Sequence, residues 1–204
     1  MLLDTVRLDG QTWLYTGIAD RPEVRSRLLA GHLARELGCS PDAIVLGRDR
    51  FGKPFLAAPA AAYWFNLSAC GGLVLVAGSH GGPVGADVET LARCRPVWED
   101  AAREFAPAER ARLAGLAPAE RPLAFARLWT AKEAVLKARG IGIVNGLVEP
   151  DLSHLGDLSA PPPWNPARMK VGDDHYAVTW YTLPIDEARV VAARAESSSN
   201  PGIT

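Results

Sequence analysis

Two well-separated segments carry residues suited to one chemistry: Gly85-Ala86-Asp87-Val88-Glu89, and Trp129 to Gly140, which holds Lys132, Glu133 and Lys137. Asp87 and Glu89 alternate with Val88 in an apolar stretch that reads as a strand, so both carboxylates leave the same face. Glu133 and Lys137 are four apart on an expected helix and are neighbours on its surface, with Trp129 one turn earlier. Three carboxylates beside one lysine suit a hard divalent cation held with a polyphosphate, because Mg²⁺ takes oxygen ligands and shares them with substrate phosphates. Read singly, each pattern is ordinary. An Asp-x-Glu at a strand end is usually a solvated face, and Glu133 ahead of Lys137 is a surface ion pair worth about 0.2–0.5 kcal/mol.

Two further segments bear on the same chemistry. Arg48-Asp49-Arg50-Phe51-Gly52-Lys53-Pro54-Phe55 is a loop with three cations and a glycine, a composition that can bring backbone N–H groups and positive charge onto phosphate oxygens. Alone it is also an ordinary Gly-Lys-Pro turn. Asn66-Leu67-Ser68 ends an apolar run with polar groups, as a satisfied strand terminus would. The chain contains no Gly-x-x-x-x-Gly-Lys-Ser/Thr loop, so a P-loop nucleotide kinase or hydrolase has little support.

The elements that must position these residues follow from periodicity and punctuation. Residues 11–18 read as a first strand. A helix follows, with Asp20 as cap, Pro22 in its first turn, apolar residues Val24, Leu28, Leu29, Leu33 and Leu37, and Gly38 as the stop. Ile44-Val45-Leu46 makes a short strand before the glycine- and charge-rich loop at 47–54. Residues 63–68, 73–79 and 83–89 read as strands separated by Gly71-Gly72 and Gly81-Gly82-Pro83; the second turn predicts a hairpin leading straight to Asp87. Residues 93–115 are helical in pattern but broken at Pro107. A long helix from about Glu120 to Arg139 ends at Gly140, with Leu128, Ala131, Val135 and Ala138 as its buried stripe. A Pro161-Pro162-Pro163 loop, strands at 175–182 and 188–194, and a Ser-rich tail complete the chain. The expected fold is α+β, with two similar, pseudo-symmetric lobes, each a small mainly antiparallel sheet packed with a long helix. The lobes are expected at 1–92 and 93–195, with a disordered tail at 196–204.

The 204 residues suffice for one compact domain or two small lobes. A formal net charge of −1 argues against broad electrostatic capture of nucleic acid. Cys39, Cys70 and Cys94 are odd in number and lack metal-ligand spacing, which fits free thiols in a reducing compartment. The N-terminus carries Asp4 and Asp9 without a long apolar run, so neither a secretory signal nor a membrane span is expected. A cytoplasmic protein is the expectation.

In order, Gly52-Lys53-Pro54, Phe65-Asn66-Leu67-Ser68, Gly85-Ala86-Asp87-Val88-Glu89 and Trp129-x-x-Lys132-Glu133-x-x-x-Lys137-x-x-Gly140 resemble the 4'-phosphopantetheinyl transferases, specifically the larger surfactin (Sfp-like) type, over roughly residues 20–145. That resemblance implies a two-lobed monomer that moves the phosphopantetheine arm of coenzyme A onto a serine hydroxyl of an apo acyl or peptidyl carrier protein, releasing adenosine 3',5'-bisphosphate. It implies Asp87, Glu89 and Glu133 as Mg²⁺ ligands, and Lys137 as the lysine on the same phosphates. Gly52, Lys53 and Pro54 would form the coenzyme-binding loop, with Arg48 near the nucleotide phosphate and Ser68 beside the cofactor. Either Glu133, directly or through a bound water, or Glu109 of Phe105-Ala106-Pro107-Ala108-Glu109 would accept the serine proton; Glu133 ranks first.

One departure stands out. Where the family usually carries a histidine for the 3'-phosphate, this chain has Ala69 followed by Cys70. Arg48, Lys53 or Arg25 of the first helix are the expected substitutes. The alternative is a degenerate homologue that binds coenzyme A or a carrier without transfer. Arg93, Arg95, Arg103, Arg110 and Arg112 form a candidate surface for the acidic recognition helix of a carrier protein.

Overall fold

A computed structural model describes residues 5–18, 21–49, 52–141, 147–154, 164–171 and 174–183. The expected Asp20 cap, Arg50 and Phe51 of the loop, the Pro161–Pro163 segment, the strand at 188–194 and the tail at 196–204 lie outside the described residues.

Strands β1 (Thr5–Arg7), β2 (Thr12–Tyr15), β5 (Trp64–Cys70) and β6 (Leu73–Ser79) make an antiparallel sheet in the order β1-β2-β6-β5. Helix α1 (Pro22–Leu37) covers one face of it. Its first turn holds proline, and Gly38 at φ 65° closes its last turn. Leu29 and Leu33 of α1 are buried with Tyr15, Phe65, Val74 and Val76 of the sheet. A separate hairpin of β3 (Val45–Arg48) and β4 (Pro54–Ala58) flanks this layer. Sequence periodicity missed β4, because the charged turn before it masks the short strand Pro54–Ala58.

The second sheet, in the order β7-β9-β8, is formed by β7 (Val84–Thr90), β9 (Asp174–Thr182) and β8 (Trp164–Val171). The long helix α5 (Arg121–Arg139) packs on it, and Thr130 and Thr179 share a 2.9 Å hydrogen bond across that contact. The fold is thus the expected mixture of helix and antiparallel sheet. Two details differ from expectation. Strands β6 and β7 do not form a hairpin: both edges of β6 are taken, by β2 and β5, so the Gly81-Gly82-Pro83 turn instead passes the chain from one sheet to the other. Consequently β7, which precedes the boundary expected at residue 92, is hydrogen-bonded into the sheet of the C-terminal half.

The expected helix at 93–115 is divided into α2 (Leu91–Cys94), α3 (Trp98–Ala101), a 3-10 turn (Ala102–Glu104) and α4 (Pro107–Gly115). Thr90 accepts the Arg93 N–H to start α2, and Pro107 opens α4 where the break was expected. Phe105, Leu113, Phe125 and Leu128 are buried together beneath these short helices. None of the described helices is long and apolar enough to cross a membrane.

Candidate active site

The site begins with how closely β7 approaches α5. A Cβ added to Gly85 would lie 1.9 Å from the Ala134 carbonyl oxygen and 2.5 Å from the Ala138 nitrogen, so only glycine allows this backbone-to-backbone packing. Two residues further on, Asp87 then meets Lys137 of α5 at 2.6 Å. On the other side β5 docks against β7 with side chains in place of a backbone ladder. Asn66 Oδ1 accepts the Ala86 N–H at 2.8 Å, and Ser68 Oγ accepts the Val88 N–H at 3.4 Å while donating to Asp87 Oδ1 at 2.7 Å. The spacing of two in Asn66-x-Ser68 therefore mirrors the spacing of the β7 N–H groups that it caps.

The Ser68 hydroxyl is buried and engaged with Asp87 and β7, so it orients a carboxylate. Asp87 Oδ2, by contrast, is buried without a hydrogen-bond partner. Glu89, on the same face of β7, accepts a hydrogen bond from Cys70 Sγ at 3.3 Å and lies 3.9 Å from Arg93. Glu133 Oε2 is 3.8 Å from Lys137 Nζ.

Burial pushes the Glu89 carboxyl above the usual range, and the charge of Asp87 adds to the shift against weaker opposing pulls from Cys70, Arg93 and Lys137. Burial also raises Glu133; Lys137 opposes this, while Asp87 and Glu89 reinforce it. The three carboxylates thus sit within each other's fields, with more negative charge than Lys137 balances. Among the described residues no three His, Cys, Asp or Glu side chains form a ready cluster for a metal ion. The donor set nevertheless fits one: an orphaned buried carboxylate oxygen on Asp87 and two destabilised carboxylates are hard oxygen donors of the kind Mg²⁺ takes.

The loop between β3 and β4 differs from expectation. Its Gly52 N–H donates to Asp49 O at 2.9 Å and its Lys53 N–H to Asp49 Oδ1 at 2.9 Å, so these two backbone groups close the turn and do not face outward. Gly52 adopts φ 80°, and Arg48 donates to its carbonyl at 2.8 Å. Lys53 Nζ crosses to α5 and donates to the Lys137 carbonyl at 2.5 Å. A cavity of about 290 Å³ lies beside these groups, lined by Gly52, Lys53, Asn66, Glu133, Lys137 and Ile141. It shares Pro54 and Leu67 with a larger cavity of about 600 Å³, where Arg25, Arg27 and Arg48 rim an apolar floor that includes Leu29, Leu46 and Leu67. Arg25 and Arg48 thus line a cavity that adjoins the one beside Glu133 and Lys137.

Glu109 is placed elsewhere. It is fully buried at the start of α4, where one oxygen accepts the Ala106 N–H at 2.9 Å and meets Lys132 Nζ at 2.8 Å, and the other accepts the Leu152 N–H at 2.8 Å. Lys132 also donates to the Pro150 carbonyl. Both Glu109 oxygens are consumed in this closed network, which leaves no face for a substrate hydroxyl, contrary to the sequence-based expectation of a second base. The signal sequence reasoning missed was Lys132 itself: it precedes Glu133, points about 100° away from it on the helix, and is the partner Glu109 requires. Arg93, Arg95, Arg103, Arg110 and Arg112 are exposed on the short helices, with Arg103 3.3 Å from Asp100.

Residues 83–193 match the model of the 4'-phosphopantetheinyl transferase superfamily. The protein slr0495 of Synechocystis sp. is 31% identical over 188 residues, covering 82% of this chain and 76% of the relative. The L-aminoadipate-semialdehyde dehydrogenase-phosphopantetheinyl transferase of Eremothecium gossypii is 35% identical over 158 residues, 69% of this chain and 56% of the relative. The 4'-phosphopantetheinyl transferase AcpT of Salmonella typhimurium is 39% identical over 119 residues, 57% of this chain and 59% of the relative. The chain therefore spans little more than half the length of the last two.

Proposed function

The chain belongs to the 4'-phosphopantetheinyl transferase superfamily, and we propose that it transfers the 4'-phosphopantetheine arm of coenzyme A to a serine hydroxyl of an apo acyl or peptidyl carrier protein, with Mg²⁺ bound and adenosine 3',5'-bisphosphate released. The observation that carries this reading is the meeting of β7 and α5, where Asp87 has an unpartnered buried oxygen beside Lys137, and Lys137 and Glu133 line a cavity.

Asp87, Glu89 and Glu133 would hold the cation, whose chemistry is to draw negative charge off the pyrophosphate oxygens. Lys137, fixed by Asp87, places an ammonium where the equatorial and leaving oxygens gain charge. The carrier serine oxygen bonds to the phosphorus bearing the pantetheine arm as the pyrophosphate P–O bond breaks, and adenosine 3',5'-bisphosphate leaves with the bonding electrons. The serine proton passes to Glu133, directly or through a bound water, since this carboxylate lines the cavity beside Lys137. Glu109 takes no part in this step. Arg25 and Arg48, in the 600 Å³ cavity adjoining the metal end, suit the 3'-phosphate in a chain whose Ala69 cannot. Gly52 and Pro54 shape the wall between the two cavities.

We assign the chain to the larger, two-lobed surfactin type, supported by a helix-backed sheet in each half of one chain. We take a monomer as the working unit, as the surfactin-type reading implies. The free thiols of Cys39, Cys70 and Cys94 support a reducing, cytoplasmic setting. The exposed arginines of the short helices are the surface proposed for the carrier.

The test is intact-protein mass spectrometry of an apo carrier incubated with this protein, coenzyme A and Mg²⁺. The carrier should gain one phosphopantetheine mass, and chelation of Mg²⁺ should stop the gain. Coenzyme A binding without transfer to fatty acid, polyketide and nonribosomal peptide carriers would overturn the reading in favour of a binding protein.

A further inference from the structure

Lys53 does something its place in the β3–β4 turn does not suggest. Its ammonium crosses from the N-terminal half of the chain to a main-chain oxygen of α5, the carbonyl of Lys137. That carbonyl lies in the last turn of the helix, where C=O groups lack intrahelical donors. Its other donor is the Gly140 N–H at 3.2 Å, and the Ile141 N–H closes onto the Leu136 carbonyl at 3.1 Å. A cation here gives this part-buried carbonyl a further donor and meets the negative end of the helix dipole. The residue that lends this carbonyl is also the one whose side chain holds Asp87. One lysine thus grips the backbone of the other.

The turn is built to present Lys53 in this way. Asp49 accepts the N–H groups of Gly52 and Lys53, and the Asp49 N–H donates to the Lys53 carbonyl at 2.9 Å, which fixes the Lys53 backbone on both sides. Holding a half-buried ammonium near a second one is unfavourable. Burial lowers the Lys53 pKa, Asp49 opposes that shift, and Lys137 adds to it. The carbonyl contact and the Asp49 carboxylate offset the repulsion. A lysine drawn off to a phosphate would lose that carbonyl and release the last turn of α5.

We propose that Lys53 is a positioning residue, which clamps the C-terminal turn of α5 so that Lys137 is held on Asp87 and over the transferred phosphate, instead of being itself a phosphate ligand. This rests on the transferase reading for its kinetic consequence but not for its structural one. Loss of the clamp leaves the coenzyme groove intact and misplaces the group that acts in the transition state, which lowers kcat more than it raises KM.

The experiment compares Lys53→Met, which keeps the aliphatic stem, with Lys53→Arg, which keeps the charge. Hydrogen–deuterium exchange of the free protein should show the Gly140 and Ile141 amides exchanging about tenfold faster in Lys53→Met. With coenzyme A, Mg²⁺ and apo carrier, kcat should fall by about 10–100-fold while KM for coenzyme A stays within about twofold. Lys53→Arg should restore most of the protection and of kcat. Unchanged exchange in Lys53→Met overturns the clamp, as does a tenfold rise in KM with kcat retained, the signature of a phosphate ligand. The exchange measurement needs no substrate, so a wild-type protein without transfer activity would refute the transferase reading and leave the clamp separately testable.

Discussion

Helix α5 carries two lysine–carboxylate pairs that have the same charges and opposite characters. Lys132 and Lys137 are five residues apart, about 140° around the axis, so they face different sides of the helix. Lys132 and Glu109 have side chains 0% and 1% exposed, against 29% for Lys137, 6% for Asp87 and 14% for Glu133. In the first pair every Glu109 oxygen has a donor and Lys132 has a second acceptor in Pro150. In the second, three carboxylates share one nearby ammonium and an Asp87 oxygen has no partner. A buried pair that is closed and balanced locks α4 and the 147–154 segment to α5. A half-open pair that leaves a buried carboxylate oxygen without a donor is the one we propose to take a cation and a phosphate.

Substitution should separate the two most sharply in activity. Glu133→Gln is expected to cut transfer by about 10³-fold. It should leave the melting temperature unchanged or slightly raised, because burial and the neighbouring carboxylates make Glu133 costly to fold. Mass-spectrometric transfer assays and thermal unfolding together check this; a large loss of stability would return Glu133 to a structural role.

The mirror case is Glu109→Gln, expected to cost about 3–5 kcal/mol of stability in chemical denaturation by stranding the Lys132 charge. The folded fraction should keep kcat within a few-fold. Combining Glu109→Leu with Lys132→Met should recover most of the lost stability, since an apolar pair of similar volume replaces a closed ion pair at little cost. A stable Glu109→Gln protein without transfer activity would instead put Glu109 in the chemistry.

His32 sharpens the contrast with a buried ionisable group paired to a neutral hydroxyl, Tyr15 Oη at 2.7 Å. Burial, with Arg35 adding to it, lowers its pKa from 6.5 to about 4. Between those values the unfolded chain binds the proton and the folded one does not. The His32 contribution is therefore fully present above pH 6.5 and is lost as pH falls toward 4, by up to about 3 kcal/mol. Denaturation curves across that range should show the slope, and His32→Gln should flatten it.

The smallest effect is expected at Ser68→Ala, which removes one donor from Asp87 and the acceptor for the Val88 N–H. A loss of about 1 kcal/mol in stability and roughly fivefold in transfer is expected. A loss as large as that of Glu133→Gln would mean that Ser68 touches substrate.

Much of the fold was legible because its signals are local. Proline in the first turn marked α1, glycine after the last turn marked both α1 and α5, and Gly71-Gly72 marked the β5–β6 hairpin. Strand β8 was not foreseen, since Pro166 breaks its pattern; among the described residues β8 lies at the edge of its sheet, where a proline is tolerated. The supposed β6–β7 hairpin failed for a non-local reason: a Gly-Gly-Pro turn does not specify which edges are already occupied. Likewise the partners that the fold gives Ser68 and Lys53, Asp87 and the Lys137 carbonyl, are distant in sequence.

The sequence by itself determined which side chains share a face, because residue type and spacing place Asp87 with Glu89 on one strand face and Glu133 with Lys137 on one helix face. Only the tertiary structure decided which charges are spent and which remain open. That depends on packing across the chain: Gly85 lets β7 touch α5, Ser68 and Lys137 take one oxygen of Asp87 and leave the other, and Lys132 neutralises Glu109 out of reach of the groove. Burial and pairing turn identical side chains into either a structural ion pair or a reactive one, and both are properties of the folded neighbourhood, not of the residue.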